Sequence, residues 1–181
     1  MKIGDFYERK EAIHEVVEAK RSKICYNFIT DLITNEIAGR RIKRILDIGC
    51  GDGSFIIQFK KHCETFGVDI SRRAIKMAKE AGINAYELDV SSERLPSQDE
   101  YFDIVYMGDV IGHLTNPDFA INEVARVIKT NGFLVLSTPN LASWLNRLLL
   151  LLGMQPLFSE VSTVKTLGKG PRSYDFFPVA I

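Results

Sequence analysis

The chain is poor in cysteine, and what it has is spaced wrongly for a disulfide framework or a structural zinc site. Cys25, Cys50 and Cys63 are the only three, odd in number and without a C-x-x-C pair, so a reduced, cytoplasmic protein is expected. Excess charge is also missing. Lys+Arg and Asp+Glu both number 23, whereas a chain whose main task is to neutralise nucleic-acid phosphates is usually basic, so no nucleic-acid partner is expected. No apolar run reaches the length of a bilayer span. The first residues, Met1-Lys2-Ile3-Gly4-Asp5, lead into charged helix-like sequence without an apolar h-region, and nothing there marks the chain for secretion. Two phosphate-binding patterns, G-x-x-x-x-G-K-[ST] and G-x-G-x-x-G, are absent as well. What is present, 46% hydrophobic and 25% charged residues in a chain of 181, suits an ordinary globular domain with a sizeable core.

The most informative stretch is Ile45 to Phe55. Ile45 to Ile48 suit a buried strand, Gly49, Gly51 and Gly53 follow at alternate positions, and an amphipathic run that reads as a helix begins at Ser54. In a strand–turn–helix unit of this kind, glycines let the backbone take positive φ and let a ligand lie against the main chain. Amide groups at the helix start favour a carboxylate or another anion. Ser54 stands where a third dinucleotide glycine would be, and no Lys follows. Asp47, two residues before the first glycine, would repel a pyrophosphate and attract an ammonium group.

Two more strands end in acids. Thr65 to Ile70 reads as the second strand, and Asp69 follows Gly49 at the separation at which a strand-end carboxylate meets the ribose hydroxyls of a nucleotide. The plainer reading of Asp69 is a helix cap, although Ser71 is better placed for capping Arg72 to Ala81, with Gly82 as the stop. Asn84 to Leu88 is the third strand, ending at Asp89. Three successive acids at strand ends would line one rim of an open parallel sheet, outside the carboxyl ends of its strands, where such sheets bind ligands.

These residues resemble motif I and its neighbours in the class I S-adenosylmethionine-dependent methyltransferases, of the small-molecule and ubiquinone-biosynthesis-like group. The resemblance covers roughly residues 24–140. It implies S-adenosylmethionine as cofactor and S-adenosylhomocysteine as product. Asp47, Gly49, Gly51 and Gly53 would receive the methionyl end, Asp69 the ribose and Asp89 with Val90 the adenine, and Cys50, Ile70 and Met107 would be further cofactor-binding residues. It implies a small-molecule acceptor with an O, C or N nucleophile. The alternative is a regulatory module of the same fold that binds the cofactor without transferring its methyl group.

The remaining elements fit an α/β, Rossmann-like, doubly wound and mainly parallel sheet with helices on both faces. Residues 5–39 read as helical with Gly39 as the stop, and residues 1–40 as a lid or cap, in which Phe6 and Tyr7 either cover the ligand or anchor the helix. Arg40, Arg41, Lys43 and Arg44 read as a solvated strand entry. Residues 41–140 form the cofactor-binding core, with a polar loop over 91–100, a fourth strand over Tyr101 to Met107, a helix opened by Asn116-Pro117 and closed by Asn131-Gly132, and a fifth strand over Phe133 to Ser137 broken by Thr138-Pro139-Asn140. The segment Gly108 to Leu114 resembles the family's acidic turn and histidine, with Gly112 replacing an acidic residue and Asp109 a glutamate. His113 is the candidate general base, or else it ties down its loop. An [ND]-P-P-[YF] turn, common in methylation of amino groups on bases or glutamine, is absent after the fourth strand.

Residues 141–158 read first as a substrate-site lid helix, then as a membrane-surface or self-association helix. Residues 141–181 leave little room for the two further strands usual in this family. The sequence is therefore truncated relative to its relatives, or another molecule, a second copy for instance, covers the edge of the fifth strand.

Overall fold

The computed structural model describes residues 3–34, 41–138 and 144–153. Two compact units are present, one of Val17–Thr138 and one of Met1–Val16 with Pro139–Ile181. The larger unit contains a five-stranded parallel sheet. Its strands are β1 (Arg44–Ile48), β2 (Glu64–Asp69), β3 (Asn84–Glu87), β4 (Phe102–Gly108) and β5 (Ile128–Ser137), in the spatial order β3-β2-β1-β4-β5. All four ladders are parallel. The helices are α1 (Ile3–Thr34), α2 (Arg72–Glu80), α3 (Pro117–Val127) and α4 (Trp144–Leu151). The α/β doubly wound expectation holds. None of the helices described is long and apolar enough to cross a membrane.

Alternation along the strands sorts the core into two faces. Ile45, Ile104, Tyr106 and Val135 meet Cys25, Ile29 and Leu32 of α1 and Ile75 and Ala78 of α2 on one side. Leu46, Ile48, Val68, Val105 and Met107 meet Val124 and Val127 of α3 on the other. Covered on both faces, β1 and β4 are almost wholly buried, as central strands of a parallel sheet are.

Caps fix the helix ends that position the site. Ser71 accepts the Ala74 N–H at 3.3 Å and opens α2. Its far end is closed by Gly82 at φ +82°, with the Ile83 N–H donating to the Ala78 carbonyl at 3.0 Å, a Schellman pattern. Asn116 accepts the Phe119 N–H at 3.1 Å, and Pro117 takes the first helical position of α3.

Three expectations are corrected. No α-helix begins at Ser54: the chain makes turns and a short 3₁₀ segment, Ile56–Phe59. α3 stops at Val127 rather than at Asn131-Gly132, and β5 starts directly at Ile128. Tertiary hydrogen bonds cause this, because the last carbonyls of α3, on Arg126 and Val127, accept from the N–H groups of Glu100 and Tyr101 at 2.9 and 2.8 Å. Asn131, at φ +63°, then lies within β5, where the ladder to β4 slips between Phe102 and Ile104. α1 ends at Thr34, and the stop expected at Gly39 lies outside the described residues. So do Arg40, the break at Pro139-Asn140, the ends of the 141–158 segment and the side chains of Phe6 and Tyr7.

At the N-terminal end of the sheet, buried Asp103 joins three strands. Its Oδ2 accepts the N–H groups of Lys43 and Arg44, each at 3.0 Å, and its Oδ1 accepts from Lys129 Nζ at 2.7 Å. Burial pushes its carboxyl up, but the Lys129 hydrogen bond and the two amides outweigh it, so the acid is held below its usual range. Asp103→Ala should cost on the order of 2 kcal/mol in urea unfolding, because it strands a half-buried ammonium and two amides. With the folded-state value depressed, the stabilisation is complete above the unfolded carboxylate range and is lost as pH falls through the folded value. The gap between parent and variant should therefore narrow on acidification.

Candidate functional site

β1 delivers the chain into a turn whose backbone hydrogen bonds run to its neighbour β2. The N–H groups of Gly49 and Cys50 both donate to the Val68 carbonyl, at 2.8 and 3.0 Å, and the Gly51 N–H donates to Asp69 Oδ2 at 2.9 Å. Gly49, at φ +75°, cannot be replaced easily, since a Cβ there would overlap the Val110 side chain. Gly51, at φ +54°, has nothing within 4 Å of its missing Cβ, so bare main chain faces open space. The expected row of helix-start amides does not form, and the Ser54 N–H is instead taken by Asp52 Oδ1 at 3.0 Å. That bond is the main reason the Asp52 carboxyl lies below its ordinary value.

The three strand-end acids stand on adjacent strands at the carboxyl end of the sheet. Asp47 is 3% exposed and lies in register between Gly67 of β2 and Tyr106 of β4. Burial first, and the Asp69 charge second, push its carboxyl well above the ordinary range. A buried acid in this state ionises readily only when a cation arrives beside it. Asp69 uses one lone pair of each oxygen, for the N–H groups of Gly51 and of Ser71 at 2.8 Å. A carboxylate has about four acceptor sites, so capping the turn leaves it able to take two hydroxyl donors as well. Asp89 Oδ1 accepts the Ser91 N–H at 2.9 Å and its Oδ2 accepts the Ser92 hydroxyl at 3.0 Å. These bonds, the backbone one foremost, hold its carboxyl below the ordinary range.

The other expected site residues divide by position. Ile70, next to Asp69, is 71% exposed, an apolar surface open at the rim. Val90 is half-buried beside Asp89. Cys50 is buried against Gly67, and its thiol is pushed up to about 12 by burial, with Asp47 and Asp69 adding to the rise, so it brings backbone rather than a thiolate to the turn. Met107 is fully buried among the residues facing α3, and the structure does not bring its side chain to the rim. His113 closes a single 3₁₀ turn, Ile111–His113, and is exposed. Its loop is tied to the Asp89 loop by the Thr115 N–H, which donates to Ser91 Oγ at 3.2 Å.

Two residues at the rim escaped the sequence reading. Tyr106 stacks on Phe55 with ring centroids 4.3 Å apart, and burial raises its phenol, with Cys25 and Asp47 adding to the effect. Arg21 of α1 pairs with Asp109, Nη2 to Oδ2, at 2.7 Å. The strand alternation that makes Asp47 and Tyr106 neighbours could have flagged the first, but no local signal links Arg21 to Asp109.

Residues 46–136, half of the chain, match the family model described as a methyltransferase domain. The chain belongs to the class I S-adenosylmethionine-dependent methyltransferases. It is 30% identical to a ubiquinone biosynthesis O-methyltransferase from Alkalilimnicola ehrlichii over 61% of this chain and 47% of that one. Among solved structures it is similar to a SAM-dependent methyltransferase from Thermotoga maritima, with TM-score 0.52 and 25% identity over 79% of this chain and 67% of that one. It is also similar to the [4+2]-cyclase SpnF, with TM-score 0.51 and 27% identity over 61% and 43%. The chain spans about half the length of the curated relatives it matches.

The family's cofactor fits this rim on the structure's own terms. Open space over Gly51, a buried acid whose ionisation is disfavoured by burial and by Asp69, and a second acid with spare acceptor capacity suit a nucleoside joined to an amino acid. Asp47→Asn tests the buried acid without any ligand. Because the folded-state value is raised, Asp47 favours folding at acid pH, and that contribution fades as pH rises from the unfolded value through the folded one. The variant should therefore gain on the parent in urea unfolding as pH rises above the ordinary carboxylate range. A difference that does not change with pH would show that the Asp47 carboxyl is not raised.

Proposed function

We propose that this chain binds S-adenosylmethionine, transfers its methyl group to a small-molecule acceptor and releases S-adenosylhomocysteine. The observation that carries the reading is the buried Asp47 beside the bare Gly51 backbone. Asp47 receives the ammonium of the methionyl end and ionises as it does so. Gly49, Gly51 and Gly53 let that end lie on the main chain. Asp69 accepts from both ribose hydroxyls, Ile70 covers one side of the nucleoside, and Asp89 with Val90 reads the adenine edge. The cofactor, when bound, supplies a methyl group that is already electrophilic, so the chain's remaining task is to hold a nucleophile in line and to exclude water. The similarity to the Alkalilimnicola ubiquinone biosynthesis O-methyltransferase supports an oxygen nucleophile. His113, exposed on the same rim, is the candidate base if the acceptor must lose a proton.

A second reading keeps the cofactor and drops the transfer. Gly112, in place of an acidic residue, supports it, as does the cyclase activity named for SpnF on a similar fold. A radiolabelled methyl screen separates the two, because one acceptor that turns over eliminates the second. The half-exposed Leu134 and Leu136 on edge strand β5 support a further part of the proposal, that a second copy or further chain covers this edge.

Asp69→Ala should lose about 1.5–3 kcal/mol of affinity for S-adenosylmethionine and for S-adenosylhomocysteine in titration calorimetry, the worth of charge-assisted hydrogen bonds. Equal affinity in parent and variant would reject the site. Because a bound ammonium lowers the raised Asp47 value, binding by the parent should release protons to the buffer over the pH range in which the free chain's Asp47 titrates, and Asp47→Asn should abolish that release.

A further inference from the structure

Outside the cofactor cradle, the most unusual polar arrangement is the pairing of Arg21 with Asp109. An arginine and a carboxylate commonly form two parallel hydrogen bonds. Here Nη2 meets Oδ2 at 2.7 Å, but Arg21 Nε and Asp109 Oδ1 are both buried without a hydrogen-bond partner. One donor and one acceptor, carried by the same ion pair and therefore close together, are left unused. Orphaned buried polar atoms are uncommon in folded chains and ask for an explanation.

The surroundings place this gap beside the methyl-transfer rim. Asp109 follows β4 directly and is held at φ +56° while its N–H donates to the Ser137 carbonyl at 2.9 Å. A non-glycine residue in that conformation is strained, and such strain gathers at ligand-binding positions. The next residue, Val110, packs where a Cβ on Gly49 would be, so Asp109 adjoins the cofactor turn. Gly112 has nothing within 4 Å of its missing Cβ, which leaves room on the same loop. The two side chains are 19% and 28% exposed, so a rotation of the Arg21 head opens the gap without unfolding α1.

We propose that Arg21 Nε and Asp109 Oδ1 form a slot for the hydroxyl group of the methyl acceptor. The slot demands a group that accepts from the Nε–H and donates to the carboxylate, which a hydroxyl does and its methyl ether cannot. This rests on the methyl-transfer reading above and names its acceptor class. In the transfer, a lone pair of the hydroxyl oxygen forms the new O–CH₃ bond, the S–CH₃ electrons return to sulfur, and the hydroxyl proton passes to Asp109, which takes the place of His113 as the base for this acceptor, and then to solvent. The product ether no longer satisfies Oδ1 and is released.

The test follows the Arg21 Nε–H signal by NMR in the full ¹⁵N-labelled chain saturated with S-adenosylhomocysteine. Its assignment comes from its disappearance in Arg21→Lys. Phenol, benzyl alcohol and 1-hexanol are titrated alongside their methyl ethers. At least one alcohol should shift the signal saturably while its ether leaves it unmoved, and Asp109→Asn should weaken that alcohol about tenfold, one hydrogen bond's worth. Arg21→Lys keeps the charge pair but removes the Nε donor. It should weaken the alcohol similarly, read on backbone signals of the 108–113 loop, and it carries the test if Asp109→Asn does not fold. Equal responses to alcohols and ethers, no response to any alcohol, or a contact to a long-lived water that no alcohol displaces would each overturn the slot. If S-adenosylhomocysteine fails to bind, the methyl-transfer reading falls and the slot with it. If it binds and Arg21 stays silent, only the slot falls.

Discussion

The hydrogen bond from the Gly51 N–H to Asp69 Oδ2 is the contact on which the rim depends. It ties the turn after β1 to the tip of β2 and so fixes two acids on neighbouring strands near each other. The arrangement is unfavourable in itself. Asp47 is buried and feels the Asp69 charge, and three glycines with positive φ lose more backbone freedom on folding than other residues would. The sheet can carry this because β1 and β4 are buried on both faces by apolar packing. A positive charge beside Asp47 would lower that cost, so the rim favours one charge type.

The two ends of the sheet use aspartate in opposite ways. At the N-terminal end, Asp103 is surrounded by two amides and the Lys129 ammonium, and its charge is favoured. At the carboxyl end, Asp47 has its charge held back. One stabilises the fold, and the other is a perturbed carboxyl of the kind that gathers at functional sites.

Long-range contacts also set the loops around the rim. Ser91 accepts from Thr115, linking the Asp89 loop to the His113 loop. Glu123 of α3 accepts the Leu95 N–H at 3.0 Å and pairs with Arg126 at 2.6 Å, which holds the rest of the 91–100 segment on the sheet. These loops are therefore braced from outside the rim, whereas the Arg21–Asp109 pair keeps one donor and one acceptor without a partner.

By itself the sequence determined the order of strands and helices, the glycine turn, the acids at three strand ends and the caps at Ser71 and Asn116. All of these are decided by local stereochemistry and by apolar periodicity within a few residues. Tertiary structure alone decided where α3 yields to β5, because carbonyls at Arg126 and Val127 are claimed by Glu100 and Tyr101. It also decided that the Met107 side chain packs against the residues facing α3 and that Arg21 meets Asp109. Each of these depends on a partner distant in the chain, and contacts between distant segments leave no periodic trace in the residues that make them.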